Sequence, residues 1–137
     1  MTKLHDLYTQ QGQSVWIDYI RRQFILDGGL QAAVDEGVRG VTSNPAIFEN
    51  AIAHSDDYDE QIQELVAAGK STEESYEALA SQDIKQAADI LRPVYDESNG
   101  VDGYVSLEVS PTLANDTDGT IAEARDLYAK VDRPNVM

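Results

Sequence analysis

The sequence predicts an α/β fold built on parallel strands, and three observations carry that prediction. Short runs rich in branched apolar residues alternate with stretches of helical apolar spacing. Strand followed by helix occurs three times, and a fourth strand begins near Asn135. Several of the strand-like runs close on a polar residue. Such alternation implies right-handed crossovers onto one parallel sheet. Four units of this kind make either a small open sheet or half of an eight-stranded barrel, because a whole barrel needs about 250 residues. The chain has 137, enough for one ordinary core, so 1–137 is expected to be a single partial domain.

Leu4, Leu7 and Tyr8 have helical spacing, and Gly12 can stop a short first helix. Ser14 to Ile20 then reads as a buried strand with one acid, Asp18, near its end. Arg21 to Glu36 reads as helix interrupted at Gly28-Gly29; Leu30, Ala33 and Val34 give its second part an apolar face, and Gly37 is a C-cap. Val38 to Thr42 is a second, short strand. Ser43-Asn44-Pro45 leads into a helix through Ala46, Ile47, Phe48, Ala51 and Ile52, with Pro45 suited to the first helical position.

Asp56 to Ala68 is a further helix, with Tyr58, Ile62, Leu65 and Val66 on one side and Gly69 at its end. Thr72, Glu73 and Glu74 make an acidic helix start. Ser75–Ala80 and Ser81–Tyr95 read as two helical pieces, the second with Ile84, Ala87, Ala88 and Leu91 inward and Pro93 kinking or ending it. Asp102 to Pro111 is a third strand, carrying Tyr104, Val105, Leu107 and Val109 and a single later acid, Glu108. Asp116 or Asp118 caps a last helix to Val131, with Ile121, Ala124, Leu127 and Tyr128 inward. Asn135-Val136-Met137 opens the fourth strand.

Composition narrows the function classes. The net charge of −15, from 25 acids against 10 bases, argues against nucleic-acid binding, which needs a basic footprint. No apolar run is long enough for a membrane span, and the N-terminus does not resemble a signal peptide. With no cysteine, disulfides, thiolate metal sites and a cysteine nucleophile are excluded, which fits a cytoplasmic protein.

The candidate chemistry lies where the strands end. Ligand sites of α/β folds form at the carboxyl ends of parallel strands, and Asp18, Asn44 and Glu108 all sit at or just past such ends. Two acids and an amide there can hold a polyhydroxy substrate and move protons. Each also has a plainer reading. Asp18 can cap the next helix, Asn44 before proline can be a turn or cap residue, and Glu108 can pair with Arg39 or Arg133. Recurrence on three strands favours a site. A metal is not expected: Asp18 and Glu108 have no second carboxylate or histidine beside them, and His5 and His54 lie in helix or loop contexts. Gly28-Gly29 lacks the placement of a phosphate loop.

At these residues the sequence resembles a known family. Gly37-Val38-Arg39-Gly40-Val41-Thr42-Ser43-Asn44-Pro45-Ala46-Ile47-Phe48 is similar to the second-strand signature of transaldolases. Ser106-Leu107-Glu108-Val109-Ser110-Pro111 resembles their third-strand glutamate motif, and Arg133-Pro134-Asn135-Val136-Met137 their approach to the fourth strand. The longer bacterial subfamily, with expanded helices after the second strand, is the better match.

The resemblance implies the N-terminal half of a (β/α)8 TIM barrel: three βα units, a helical insertion after the second strand, and the start of a fourth strand. It implies transfer of a dihydroxyacetone unit between sugar phosphates in the pentose phosphate pathway, without a cofactor, through a lysine Schiff base. By position, Asp18 would handle the proton of the hydroxyl where the carbon–carbon bond breaks. Asn44 would bind the dihydroxyacetone portion, with Thr42 supporting it, and Glu108 would position the catalytic water. The family's lysine follows the fourth-strand motif. Lys3, Lys70, Lys85 and Lys130 all fall on predicted helices or loops, so the 137 residues alone are expected to be inactive.

Two other function classes remain open: an acidic interaction module on a half-barrel scaffold, and a related sugar-phosphate aldolase. A half barrel leaves two strand edges and an apolar face uncovered, so self-association is expected.

Overall fold

A computed structural model, describing residues 1–137, sets four parallel extended segments side by side in chain order. Strand β1 (Val15–Ile17) pairs with β2 (Val38–Val41), Val41 bridges to Val105, and Val105 bridges to Val136, all in parallel. A doubly wound sheet reverses direction at a switch point. This order never reverses, which is how successive strands follow one another around a barrel wall.

The third segment is thinner than the Asp102–Pro111 strand expected from sequence, with only Val105 bridged on both sides. Its main-chain bonds are nevertheless continuous. Gly103 N donates to Arg39 O at 2.9 Å, and Ser106 N to Val41 O at 2.9 Å. On the other side Val105 N donates to Asn135 O at 2.9 Å and Leu107 N to Met137 O at 2.9 Å. Pro111 then starts a 3-10 turn, Pro111–Leu113, which ends any extension. The first strand is also shorter than Ser14–Ile20. After Ile17 the chain leaves the sheet, and Ile20 is driven into the core while Tyr19 stays exposed.

Helix α1 (Lys3–Gln11) is capped by Thr2, and Gly12 in the left-handed region closes it, the stop its sequence predicts. Helices α2 (Arg22–Leu26) and α3 (Gly29–Glu36) are split at Gly28, and Gly37 ends α3 at φ 113°. Helices α4 (Pro45–Ala53), α5 (Asp59–Ala67) and α6 (Thr72–Glu97) form the insertion before the third segment. The expected break in α6 is absent. Pro93 lies on its exposed face, where water can satisfy the carbonyl that proline leaves unbonded, and the helix runs on to Glu97.

The core forms where α6 crosses the sheet. Ile84, Ala87, Ala88 and Leu91, the predicted stripe, pack with Val41, Val105 and Val136. The paired alanines let the helix approach closely, and burying Ile84 or Leu91 is worth about 1.5–3 kcal/mol each. Helix α7 (Thr117–Val131), capped by Asp116, buries only Leu127 and Val131. Ile121, Ala124 and Tyr128, expected inward, are exposed, as is Val66 of α5.

The amino ends of the strands are tied by one carboxylate. Asp102, 2 % exposed, accepts from Ser14 Oγ, from Trp16 Nε1 at 3.2 Å and from Arg39 Nε at 2.7 Å. The pairing of β1 with β2 skips Arg39, a bulge, and its guanidinium stacks 3.7 Å from the Tyr8 ring centroid. Arg39 is therefore not the partner of Glu108. Neither is Arg133, which pairs with Asp89 at 2.5 Å.

Candidate active site

Side-chain alternation decides what the strand ends present. Ile17, Val41, Val105, Leu107 and Val136 all pack into the helix-covered core. Their neighbours in a pleated strand face the other way. Trp16 and Asp18 on the first segment thus share a face with Gly40 and Thr42 on the second, and two contacts bear this out. The Trp16 indole lies over Gly40, so closely that a Cβ there would sit 2.3 Å from Trp16 Cδ2. Beyond them, Thr42 Oγ1 donates to Asp18 Oδ1 at 2.7 Å.

Asp18 and Thr42 are therefore one unit at the carboxyl ends of β1 and β2. Asp18 is exposed and caps no helix. The N-cap of α2 is Arg21, and its first amides are served by the insertion, with Gln23 N donating to Asp57 Oδ2 at 3.0 Å. Thr42 engages Asp18 rather than Asn44, the residue it was expected to support. One Asp18 oxygen is held by this hydroxyl and the other has no hydrogen-bond partner within the chain.

Asn44 takes the capping role open to it. Its Oδ1 accepts from Ile47 N at 2.9 Å, capping α4, with Pro45 at the first helical position. The cap leaves the amide's two N–H donors unspent, and these are what would bind hydroxyl or carbonyl oxygens.

Glu108 is exposed and makes no ion pair. It lines a cleft of about 880 Å³ bounded by Pro45, Tyr76, Leu107 and the middle of α7. Burial raises the Tyr76 phenol above its ordinary pKa, and the negative charge of Glu108 raises it further. The carboxylate has no protein donor to satisfy, so it is available to a water or a substrate. The structure brings Asp18 and Thr42 into contact, sets Asn44 next along the same chain end, and leaves Glu108 on its own segment two residues beyond Ser106.

Sequence reasoning missed the stitch between these segments. Ser43 N donates to Ser106 Oγ at 2.9 Å, and Ser43 Oγ donates to Ser106 O at 2.6 Å. Serine between a strand and a proline reads locally as a turn residue, and no local signal points to a partner 63 residues away.

The four lysines lie on α1, α6 and α7 and in the loop before α6, none on a strand. Lys130 is bonded to Asp126 at 2.6 Å and to Glu77, which raises its pKa and keeps it an ammonium rather than a nucleophile. Every arginine except Arg125 is ion-paired to a carboxylate.

Comparison with known proteins gives one consistent result. A family model described as transaldolase/fructose-6-phosphate aldolase matches residues 15–137. A transaldolase 2 of Nostoc sp. (strain PCC 7120 / SAG 25.82 / UTEX 2576) is 52% identical over 129 residues, covering 93% of this chain and 34% of that protein. A transaldolase of Thermobifida fusca (strain YX) is 51% identical over 127 residues, 92% of this chain and 34% of its own. A transaldolase 2 of Streptomyces coelicolor is 44% identical over 136 residues, 98% of this chain and 37% of its own. The chain spans about a third of the length of the curated relatives it matches.

Proposed function

The chain belongs to the transaldolase/fructose-6-phosphate aldolase family, whose fold is the TIM barrel, and from that premise we propose that it is the N-terminal part of a transaldolase. In this reading the whole enzyme moves a dihydroxyacetone unit between sugar phosphates through a lysine Schiff base, in the cytoplasmic pentose phosphate pathway. The observation that carries it is the set of unspent polar atoms at one end of the sheet. Asp18 keeps one carboxylate oxygen free beside Thr42, Asn44 keeps its amide donors, and Glu108 keeps its whole carboxylate.

The roles follow from what each group has left. Asp18, with one oxygen held by the Thr42 hydroxyl, presents the other as base to the substrate hydroxyl whose proton departs as the carbon–carbon bond breaks. Asn44, fixed by its cap, donates to the oxygens of the three-carbon unit. Glu108 orients the catalytic water, which is expelled when the carbinolamine dehydrates to the imine and, deprotonated by Glu108, later adds back to hydrolyse it. The lysine and the phosphate site come from elsewhere in the enzyme, since Lys130 is held as an ammonium and nearly all the arginines are paired.

Borohydride trapping with fructose 6-phosphate tests this. The 137 residues alone should give no adduct, and the protein whose chain continues past Met137 should give one. An adduct on Lys85 or Lys130 would refute the assignment. The family description also covers fructose-6-phosphate aldolases, and product analysis separates the two: free dihydroxyacetone for cleavage, a new sugar phosphate for transfer.

We also propose that these 137 residues associate when alone. β1 has no neighbour on its outer side, and Val136 is paired only with the Val105 segment, so both edges offer unpaired main chain. Against this stands the charge of −15, so association should strengthen with salt. A compact monomer by sedimentation at high concentration and high salt would overturn it.

A further inference from the structure

We propose that Ser43 is a positioning residue that sets the spacing between the Asn44 amide and the Glu108 carboxylate. The proposal rests on the transaldolase reading above. Past Val41, two successive residues turn to opposite neighbours. Thr42 bonds back to the first segment, its N to Ile17 O at 2.9 Å and its Oγ1 to Asp18 Oδ1 at 2.7 Å. Ser43 bonds forward to the third segment through both its amide and its hydroxyl.

The forward bond is reciprocal. Ser106 Oγ accepts from Ser43 N at 2.9 Å and donates to Ser43 O at 3.4 Å, while Ser43 Oγ donates to Ser106 O at 2.6 Å. Each hydroxyl thus bonds the other residue's main chain. The clasp lies one residue before Asn44 and two before Glu108. The sheet's own ladder between these segments ends with Ser106 N on Val41 O. Beyond that bond, Ser43 and Ser106 are what hold the two chain ends at a fixed separation.

Ser43 is 2 % exposed, so it is shielded from any substrate and acts only through its neighbours. A hydroxyl buried here without a partner would be costly, and both of its polar groups are satisfied by the same residue. Alanine at position 43 frees the Ser106 carbonyl and lets the Glu108 segment drift from Asn44. A misplacement of about 1 Å can lower a rate by about 10²-fold.

The test uses the protein whose chain continues past Met137, with kcat counted per site that traps a Schiff base on borohydride treatment. Ser43→Ala is expected to lower that kcat at least tenfold, and Ser43→Thr, which keeps the hydroxyl, to restore most of it. Ser106→Ala, at the half-buried partner, should reproduce the loss, and decides the matter if Ser43→Ala does not fold. A purely structural serine would reduce the fraction of trappable sites and leave kcat per site alone. A kcat per site within twofold of wild type in the alanine variants overturns the proposal by itself. A wild-type protein that forms no adduct overturns the transaldolase reading and the proposal together.

Discussion

Replacing Asp83 by alanine should loosen α2 and the turn before α5 from α6. Asp83 is fully buried on α6, its Oδ1 accepting from Arg22 Nε at 2.8 Å and its Oδ2 from Tyr58 Oη at 2.8 Å. The Tyr58 oxygen in turn accepts from Arg22 N at 3.1 Å, so one cluster joins α2, α6 and the turn before α5. Removing one member of a buried pair costs about 3–5 kcal/mol, because the other charge is stranded. Here the Arg22 guanidinium would keep Gln61 Oε1 at 2.7 Å, Leu79 O at 3.4 Å and the face of the Tyr58 ring. That moves the expected loss to the low end, about 3 kcal/mol. A domain of ordinary stability, about 5–15 kcal/mol, survives it with a midpoint lower by about 10 °C. Urea unfolding at neutral pH, followed by circular dichroism, measures the loss. The double change Arg22→Met with Asp83→Leu removes both charges and should come close to wild type. A loss below about 1 kcal/mol in Asp83→Ala, or a double variant as weak as Arg22→Met alone, would show that the pair does not hold these elements together.

Two acids on the insertion should respond to pH with opposite sign. The Arg21 hydrogen bond, helped by Gln23 N, holds the Asp57 carboxyl below its ordinary range, so its contribution is present above the unfolded value and lost as pH falls through the folded one. Burial instead raises Asp83, so the folded chain keeps that proton to higher pH and the contribution falls as pH rises through the window. Subtracting stability-versus-pH curves of Asp57→Asn and Asp83→Asn from wild type should give slopes of opposite sign, and slopes of one sign would contradict both assignments. Gly103→Ala should not fold: φ is +82°, and the new Cβ would lie 2.3 Å from Tyr95 N, a backbone atom that cannot yield. A soluble, cooperatively melting Gly103→Ala protein would contradict that close approach. Gly40→Ala should displace the indole of Trp16, the only tryptophan, and break its bond to Asp102. Its fluorescence should shift to the red, and an unchanged emission maximum would refute the packing.

What was legible in the sequence was whatever depends on nearby residues. Gly12 and Gly37 end helices because the chain must turn left-handed there, and Asn44-Pro45 starts one because cap and first-turn proline act within three residues. The α6 stripe was legible for the same reason. What was missed or misread depends on partners distant in sequence or on what covers a face. Asp83 sits beside that apolar stripe, and nothing near it says that Arg22 and Tyr58 will meet it. Pro93 looked like a break because its cost was counted without knowing that its side of α6 faces water. Ile121, Ala124 and Tyr128 have the spacing of a buried face, yet periodicity names a face without naming what covers it. At the candidate site, the positions of Asp18, Asn44 and Glu108 followed from where strands end. The serine stitch and the Thr42–Asp18 bond did not, because each joins two strand ends through side chains that are commonplace in turns.

The acids at the two ends of the sheet supply the argument that separates scaffold from site. Glu108 draws the eye in the sequence as the lone charge in an apolar run, while Asp102, six residues earlier, merely opens the predicted strand. In the folded chain their burdens are reversed. Asp102 is buried at the amino ends of the strands and accepts from Ser14, Trp16, Arg39 and the amide of Gly103, which saturates its lone pairs. Asp18, at the carboxyl ends, is held on one oxygen, and Glu108 on neither. A carboxylate with every lone pair engaged can only hold structure, since any ligand must displace a bond the fold needs. One left with spare acceptors beside a cleft costs the fold little and can take a proton or a water. The chain thus closes one end of its sheet with a satisfied acid and leaves acids with spare acceptors at the other, which is the end where the proposed chemistry lies.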